Sequence, residues 1–385
     1  MRIGLFGGSF DPAHIEHINL AKGAIKSLSL DKLIVLPAHT PPHKQGKTLT
    51  CDTVRLELCR LAFSNIEKVE VNGYEIEKGG VSYTFEACRY FRSLYPNAEL
   101  FWLVGTDMLR DFPSWKNTKD ILDTVTLAVC ARAENDDWIT REKENFYALF
   151  HKDFAVIGYE GQDLSSTRIR VLASAGENIT EWVGEQVAGY IKDKRLYEIL
   201  GAKEALSMEK QTRKEHSFRV AEMAVQRAPS LGVAERSAMV AALFHDCAKN
   251  LDKNSPYLDG FTIENGVPAP VVHQFAGAYI AENRFGIKDE DILNAIRYHT
   301  SGRAGMSALE RLIFLADMLE YGRNYDVVEQ LRALFWDKKD DLTVCMAVAL
   351  KESLRFIKEK DAPVYELTVD AEKYYAEKLK ERREK

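Results

Sequence analysis

Near the start of the chain, GLFGGSFDPAHIEH (Gly4 to His17) gathers two glycines and two histidines where an apolar strand gives way to a helix. Gly7 and Gly8 let the backbone approach a ligand closely, and the helix beginning near His14 offers unpaired N–H groups to an anion. His14 and His17, three apart, share one face of its first turn, so both would meet the same phosphate. The cluster is neither a Walker A loop nor GxGxxG, which disfavours kinases and ordinary dinucleotide binders. In the second half, ALFHDCAKN (Ala242 to Asn250) sets His245 and Asp246 at the apolar end of a buried helix. Burying a polar group without a partner costs about 2–7 kcal/mol, and a charge more, so the pair needs compensation. His216, His273 and His299, each expected on a helix with apolar neighbours, share that need with Asp317. One or two divalent ions held by imidazoles and carboxylates would satisfy all six.

Such groups need elements to position them. Up to about Leu200, β-rich runs (RIGLFGG, KLIVLPA, KVEVNGYEI, ELFWLVGTD, VTLAVCARA) alternate with helical stretches, which implies an α/β domain with a parallel sheet covered on both faces. After that the pattern is helix upon helix, an all-α domain. The 385 residues favour two domains, divided near Gly201 into 1–200 and 201–385. The terminal AEKYYAEKLKERREK reads as a solvated helix or frayed tail. A net charge of −6 leaves no basic footprint, so nucleic acid is not an expected partner, whereas small anions remain compatible. Six cysteines without a CxxC pair fit a reduced, cytoplasmic protein. The start lacks an apolar signal region and no run of about 18 apolar residues follows, so neither export nor a membrane span is expected. Self-association is left open.

GGSFDPAHIEH resembles the nucleotidyltransferase signature GGSFDPxHxGH, and LSSTRIR (Leu164 to Arg170) resembles the second signature, ISSTxIR. Between them stand PAHTPPHK (Pro37 to Lys44), VSYTFEA (Val81 to Ala87) and LVGTDMLRDFPSWK (Leu103 to Lys116). Five such words in order resemble the bacterial nicotinate-nucleotide adenylyltransferases, with a Rossmann-like nucleotidyltransferase fold. The resemblance implies that ATP, with Mg²⁺, adenylylates nicotinate mononucleotide to give nicotinate adenine dinucleotide and pyrophosphate. It assigns His14, His17 and Arg168 to catalysis. Gly7, Gly8, Ser9 and Phe10 would line the nucleotide pocket, Lys44 would serve phosphate, and Gly105 and Asp107 the ribose. Ser165, Ser166 and Thr167 would grip the triphosphate at a second helix start, while Tyr83, Thr84 and Trp115 take the nicotinate ring. Charge in the transition state would be met by His⁺, Arg, helix termini and Mg²⁺. Glu16 departs from the usual glycine; it is expected either to point outward near the helix N-terminus or to weaken ATP binding. CARAEND stands where the family has an RPG-containing loop, so only Arg132 is carried over there.

In the helical half, EHSFRVAEMA, ALFHDCAKN, AIRYHTSG and FLADMLEYGR resemble the HD-domain metal phosphohydrolases, in the branch of bacterial symmetrical diadenosine tetraphosphatases. The resemblance implies one or two divalent ions, iron or manganese. His216, His245, Asp246 and Asp317 would hold one, His273 and His299 would complete the second, and Asp246 would bridge. Lys249 would contact phosphate, as would Arg219, Thr300 and Arg323. The expected reaction is hydrolysis of diadenosine tetraphosphate to two ADP. The alternatives are another nucleotide substrate, or a metal- and nucleotide-binding regulatory module.

Overall fold

A computed structural model describes residues 1–42, 49–132, 136–159, 161–162 and 164–384. The chain divides into two compact units, Met1–Ile169 with Asn178–Arg195, and Arg170–Glu177 with Leu196–Lys385.

In the first unit the described residues form six strands: β1 (Arg2–Gly8), β2 (Lys32–Pro37), β3 (Val69–Val71), β4 (Glu99–Gly105), β5 (Thr126–Arg132) and β6 (Ala155–Tyr159). All pair in parallel, in the order β3-β2-β1-β4-β5-β6. Helices α1 (Ile15–Ser27), α2 (Asp52–Phe63), α3 (Tyr74–Lys78) and α4 (Thr84–Leu94) fall before β4. Those after it are α5 (Thr106–Asp111), α6 (Thr118–Thr124), α7 (Asp136–Phe150), α8 (Ser166–Ser174, of which Arg170 onward belongs to the second unit), α9 (Thr180–Val183) and α10 (Glu185–Asp193). Alternate residues of each strand enter different cores, as the pleat demands: Ile3 and Leu5 pack with Phe85, Phe91 and Trp102, while Phe6 packs with Phe10, Leu33 and Val35 on the other face. The strand order reverses between β1 and β4, which opens a crevice beyond their carboxyl ends. Gly7, Gly8 and Gly105 end the two strands that frame it.

The second unit is helical: α11 (Ala202–Ser207), α12 (Gln211–Arg227), α13 (Glu235–Phe244), α14 (Val272–Asn283) and α15 (Glu290–Arg297). Then come α16 (Ala308–Leu319), α17 (Val328–Trp336), α18 (Thr343–Glu359) and α19 (Glu366–Arg383). Residues Ala238 to Phe244 of α13 are all buried, so that helix runs through the core rather than along its edge. The end of the chain is a helix, one of the two forms expected, but it is not wholly solvated, because Ala371 and Tyr375 of α19 are 0% and 2% exposed within the unit's core. Two buried positions four apart suffice to dock a helix whose other faces are charged. Among the described residues no helix is long and apolar enough to cross a membrane.

Candidate functional site

His14 is the N-cap of α1, extended at φ −145°, and His17 stands one turn on with ring centroids 3.9 Å apart. The His14 amide donates to His17 Nδ1 (3.2 Å), so the His17 proton sits on Nε2, the atom that can face a phosphate oxygen. His14 is 4% exposed, and its Nδ1 is buried with no hydrogen-bond partner among the described residues. Burial lowers its pKa to about 4, which favours the neutral imidazole, and an anion beside the ring would oppose that shift. Gly7 and Gly8 are required by packing: a Cβ would come within 2.8 Å of the Trp102 ring and 2.9 Å of the Phe10 ring respectively. Phe10, 1% exposed, belongs to the core; its ring meets His17 edge-on at 5.0 Å and so steadies the imidazole instead of lining a pocket. At the second helix start, Ser165 Oγ accepts the Arg168 amide (3.0 Å) and Ser166 Oγ donates to the Pro12 carbonyl (3.0 Å). That bond ties the start of α8, with half-buried Thr167 and Arg168, to the GGSFDP loop. Asp107 opens α5 just beyond Gly105 and is exposed. Tyr83 caps α4, Thr84 begins it, and half-buried Trp115 packs against the same core as Tyr83. Lys44 lies outside the described residues; Arg132 is the last residue of β5.

The helical unit brings all six candidate metal ligands together. His216 is in α12, His273 in α14 and Asp317 in α16, but His245 and His299 lie in turns just past α13 and α15, not on helices as expected. Those turns fix the rings: Nδ1 of His245 donates to the Ala242 carbonyl (2.6 Å) and Nδ1 of His299 to that of Ile296 (2.8 Å), leaving both Nε2 lone pairs for the site. Gln274 holds the second turn by accepting the amides of Thr300 (3.1 Å) and Ser301 (3.0 Å). Asp246, 1% exposed, is the hub: Oδ1 lies 3.2 Å from His273 Nε2 and 3.3 Å from His299 Nε2, and Oδ2 lies 3.5 Å from His245 Nε2 and 4.0 Å from His216 Nε2. His216 Nε2 also stands 2.9 Å from Asp317 Oδ1. Among the described residues, neither Asp246 oxygen, nor Nε2 of His216 or His245, has a directed hydrogen bond, although all four are buried. Lone pairs converging on one another in this way suit a cation. Two sets, His216, His245, Asp317 and His245, Asp246, His299, bring their donor atoms within 4.8 Å of one another, so the residues present fit divalent ions.

The electrostatics agree. Burial pushes the Asp246 carboxyl up, but His245, His273 and His299 hold it well below the ordinary carboxylate range. Burial lowers His245 to about 3 and His273 to about 4, the neutral forms that ligate metal. Lys249 Nζ is 2.9 Å from His273 Nε2 and Thr300 Oγ1 is 3.1 Å from it, so both border the second set. Arg323 reaches Asp317 Oδ1 at 2.8 Å.

A cytidylyltransferase-like family model matches residues 5–172, and an HD domain model matches residues 213–322. A Clostridium tetani protein described as a probable nicotinate-nucleotide adenylyltransferase is 35% identical over 50% of this chain and 97% of its own length. The N-terminal half of this chain belongs to that adenylyltransferase family. A Mycoplasma genitalium protein, described as a probable nicotinate-nucleotide adenylyltransferase/Ap4A hydrolase, is 28% identical over 84% of this chain and 89% of its own. Among solved structures, a Clostridium acetobutylicum chain described as a predicted HD superfamily hydrolase involved in NAD metabolism is 31% identical, with 46% of this chain and 95% of that one covered at a TM-score of 0.43.

Within the adenylyltransferase half, sequence reasoning passed over Arg55 and Lys116. Arg55, 0% exposed, donates Nε to the Thr50 carbonyl (2.9 Å) and Nη1 to the Ser9 carbonyl (2.7 Å), and pairs with Asp52. One guanidinium thus ties the GGSFDP loop to the segment that begins α2. Lys116 Nζ lies 4.4 Å from the centre of the Tyr83 ring, placing a cation beside the pyridine candidates. In the HD half, Arg213 was passed over; its Nη1 is 2.9 Å from Asp246 Oδ2. So was Glu320, whose Oε1 accepts from His216 Nδ1 (3.1 Å) and whose carboxylate is also gripped by Arg219 and the Gly322 amide. Burial raises its pKa, yet those bonds hold it at about 2. Arg219 therefore serves Glu320 in this structure. Arg219 was expected at a phosphate and Glu320 was given no role, and only the fold shows the two meeting.

Proposed function

We propose that this chain is a bifunctional cytoplasmic enzyme. Its α/β unit transfers the adenylyl group of MgATP to nicotinate mononucleotide, and its helical unit hydrolyses diadenosine tetraphosphate to two ADP. The observation that carries the reading is the Asp246 carboxylate ringed by four imidazole nitrogens, in a chain whose other unit joins two helix starts beside His17. In the first reaction a phosphate oxygen of the mononucleotide attacks the α-phosphorus and pyrophosphate leaves. Charge accumulates on phosphate oxygens, and His17 Nε2–H and the Arg168 guanidinium are the donors that would meet it. His14, one turn before His17, contributes a further hydrogen-bonding atom. In the second unit His216, His245, Asp246 and Asp317 would hold one ion, and Asp246, His273 and His299 the other. When bound, divalent iron or manganese supplies Lewis acidity toward the phosphate. Lys249, Thr300 and Arg323 border the site where that phosphate would lie.

We place the functional boundary near Gly201. Val171 and Ala175 precede it yet pack in the helical unit's core, so the experiments below use the full chain.

Trp115 offers a stacking face while Tyr83, Thr84 and Lys116 gather donors and positive charge, so nicotinate mononucleotide is expected to exceed the amide mononucleotide in kcat/KM. A hydrogen bond to a charged group contributes about 1.5–3 kcal/mol, which corresponds to roughly 10- to 150-fold. Steady-state rates with the two mononucleotides measure this, and equal efficiency would remove the pyridine assignment. For the second unit, Glu320 orients His216, and losing such an outer partner typically weakens metal binding about 10- to 100-fold. Glu320→Gln is expected to show that loss in a chelator competition, with adenylyl transfer unaffected; wild-type metal affinity in the variant would refute the role.

A further inference from the structure

Glu16 stands where the adenylyltransferases usually have glycine, and it does not point outward as one reading of the sequence expected: it is 7% exposed. Its Oε1 accepts from Asn19 Nδ2 at 3.3 Å, while Oε2 is buried with no hydrogen-bond partner among the described residues. The carboxylate lies against Gly161, beyond β6, where an added Cβ would fall 2.4 Å from Oε2 and 2.6 Å from the Tyr159 ring. The bare backbone of Gly161 thus lets an aromatic ring and an unpaired buried acceptor come together.

At about 100° per residue, Glu16 is turned about 200° from His14 around α1, away from the face shared by the two histidines. It is therefore not a phosphate ligand, which its charge would also oppose. Phosphates anchored between the starts of α1 and α8 have the pyridine candidates Tyr83 and Trp115 on the core face of Phe112 and Trp102. Forming a dinucleotide requires the two nucleosides to leave the phosphates in different directions, so the base of ATP is directed to the opposite side. That side is the α1–β6 corner, where Tyr159 packs with Ile157 and Phe10. An apolar ring next to a hydrogen-bond acceptor suits a purine that carries an N–H donor on its edge. We propose that Glu16 Oε2 accepts the exocyclic 6-amino hydrogen of adenine, and that this contact selects ATP. A 6-oxo purine would set oxygen against carboxylate, leaving both without a donor. The proposal rests on the adenylyl-transfer reading of this site.

The test compares ATP, inosine triphosphate and the triphosphate of purine riboside, which has hydrogen at position 6. Each is titrated calorimetrically against the full chain, and each is assayed with nicotinate mononucleotide. Wild type is expected to favour ATP over purine riboside triphosphate about tenfold or more in both affinity and kcat/KM, since a site built for a donor rejects the analogue lacking it. Glu16→Gly is expected to bring that ratio within threefold. Glu16→Gln, which keeps shape and can turn its amide to donate, is expected to raise inosine triphosphate relative to ATP by about tenfold, and it serves if the glycine variant folds poorly. A wild-type ratio within threefold of unity, or ratios left unchanged by both substitutions, would overturn the proposal. Absence of adenylyl transfer with ATP would strike the activity reading, while the titrations would still decide the role of Glu16.

Discussion

Asp246→Ala is expected to leave the chain without metal in its helical unit and to lower hydrolysis of diadenosine tetraphosphate by about 10³-fold or more, while adenylyl transfer stays within about twofold of wild type. The size follows from what is lost: a metal worth several kcal/mol in the transition state, at about 1.4 kcal/mol per factor of ten. Asp246 is the one carboxylate near Nε2 of all four histidines among the described residues, so no neighbouring group replaces it. The fold should survive. His245 and His273 stay neutral when buried, and Arg213 and Lys249, which lose a partner, are 29% and 32% exposed and can turn to water. Their loss should therefore cost less than the about 3–5 kcal/mol of a fully buried pair. Metal binding stabilises only the folded state, by about 2.7 kcal/mol at a hundredfold excess over Kd, so a chelator should lower the wild-type Tm and leave the variant's unchanged. Elemental analysis decides the metal claim independently of substrate. A wild-type chain that takes up neither iron nor manganese, or a variant that retains either stoichiometrically, would defeat it. Product analysis adds the cleavage pattern: two ADP means symmetrical attack, and AMP with ATP means asymmetrical attack.

How much of this was legible beforehand depended on whether a side chain's purpose was local. His14 and His17 needed only their spacing on one helix turn, and His245 with Asp246 only their misfit in an apolar run, so both clusters were found from sequence. The alternation of strands and helices likewise indicated the parallel sheet and the all-helical second unit. β6 escaped, because AVIGY is five residues long and contains a glycine, too brief for alternation to register. The turns holding His245 and His299 were read as helix, since an i−3 bond from a histidine to a carbonyl leaves no mark in composition. Glu320, Arg213 and Arg55 were out of reach for a different reason: His216 and Glu320 are 104 residues apart, and Arg55 and Ser9 are 46 apart. Their roles exist only once tertiary structure has closed those separations. Glu16 was noticed as a departure, but its burial depends on Gly161, which carries no side chain to suggest a neighbour.

His17→Ala is expected to lower kcat/KM for adenylyl transfer by about 10²- to 10³-fold, the usual effect of removing one donor aimed at developing oxyanion charge. Two separate things vanish with the imidazole. Nδ1 accepts the amide of the α1 N-cap, so the alanine variant also loses a reciprocal capping bond worth about 0.5–2 kcal/mol of stability. Loss of activity in that variant could then reflect a frayed helix start rather than a missing donor. His17→Gln separates the two, because glutamine three residues past the N-cap reaches back to the same amide, yet offers no ring N–H where Nε2 stands. Thermal melting should show His17→Gln within about 0.5 kcal/mol of wild type and His17→Ala clearly below it, with both variants slow. The core contact of Phe10 with the His17 ring would be weakened in each, so it does not distinguish them. Hydrolysis in the helical unit supplies the internal control, and it should be unchanged throughout. If His17→Gln recovers both stability and turnover, the histidine acts only as a cap, and the phosphate role passes to the α8 start with Arg168.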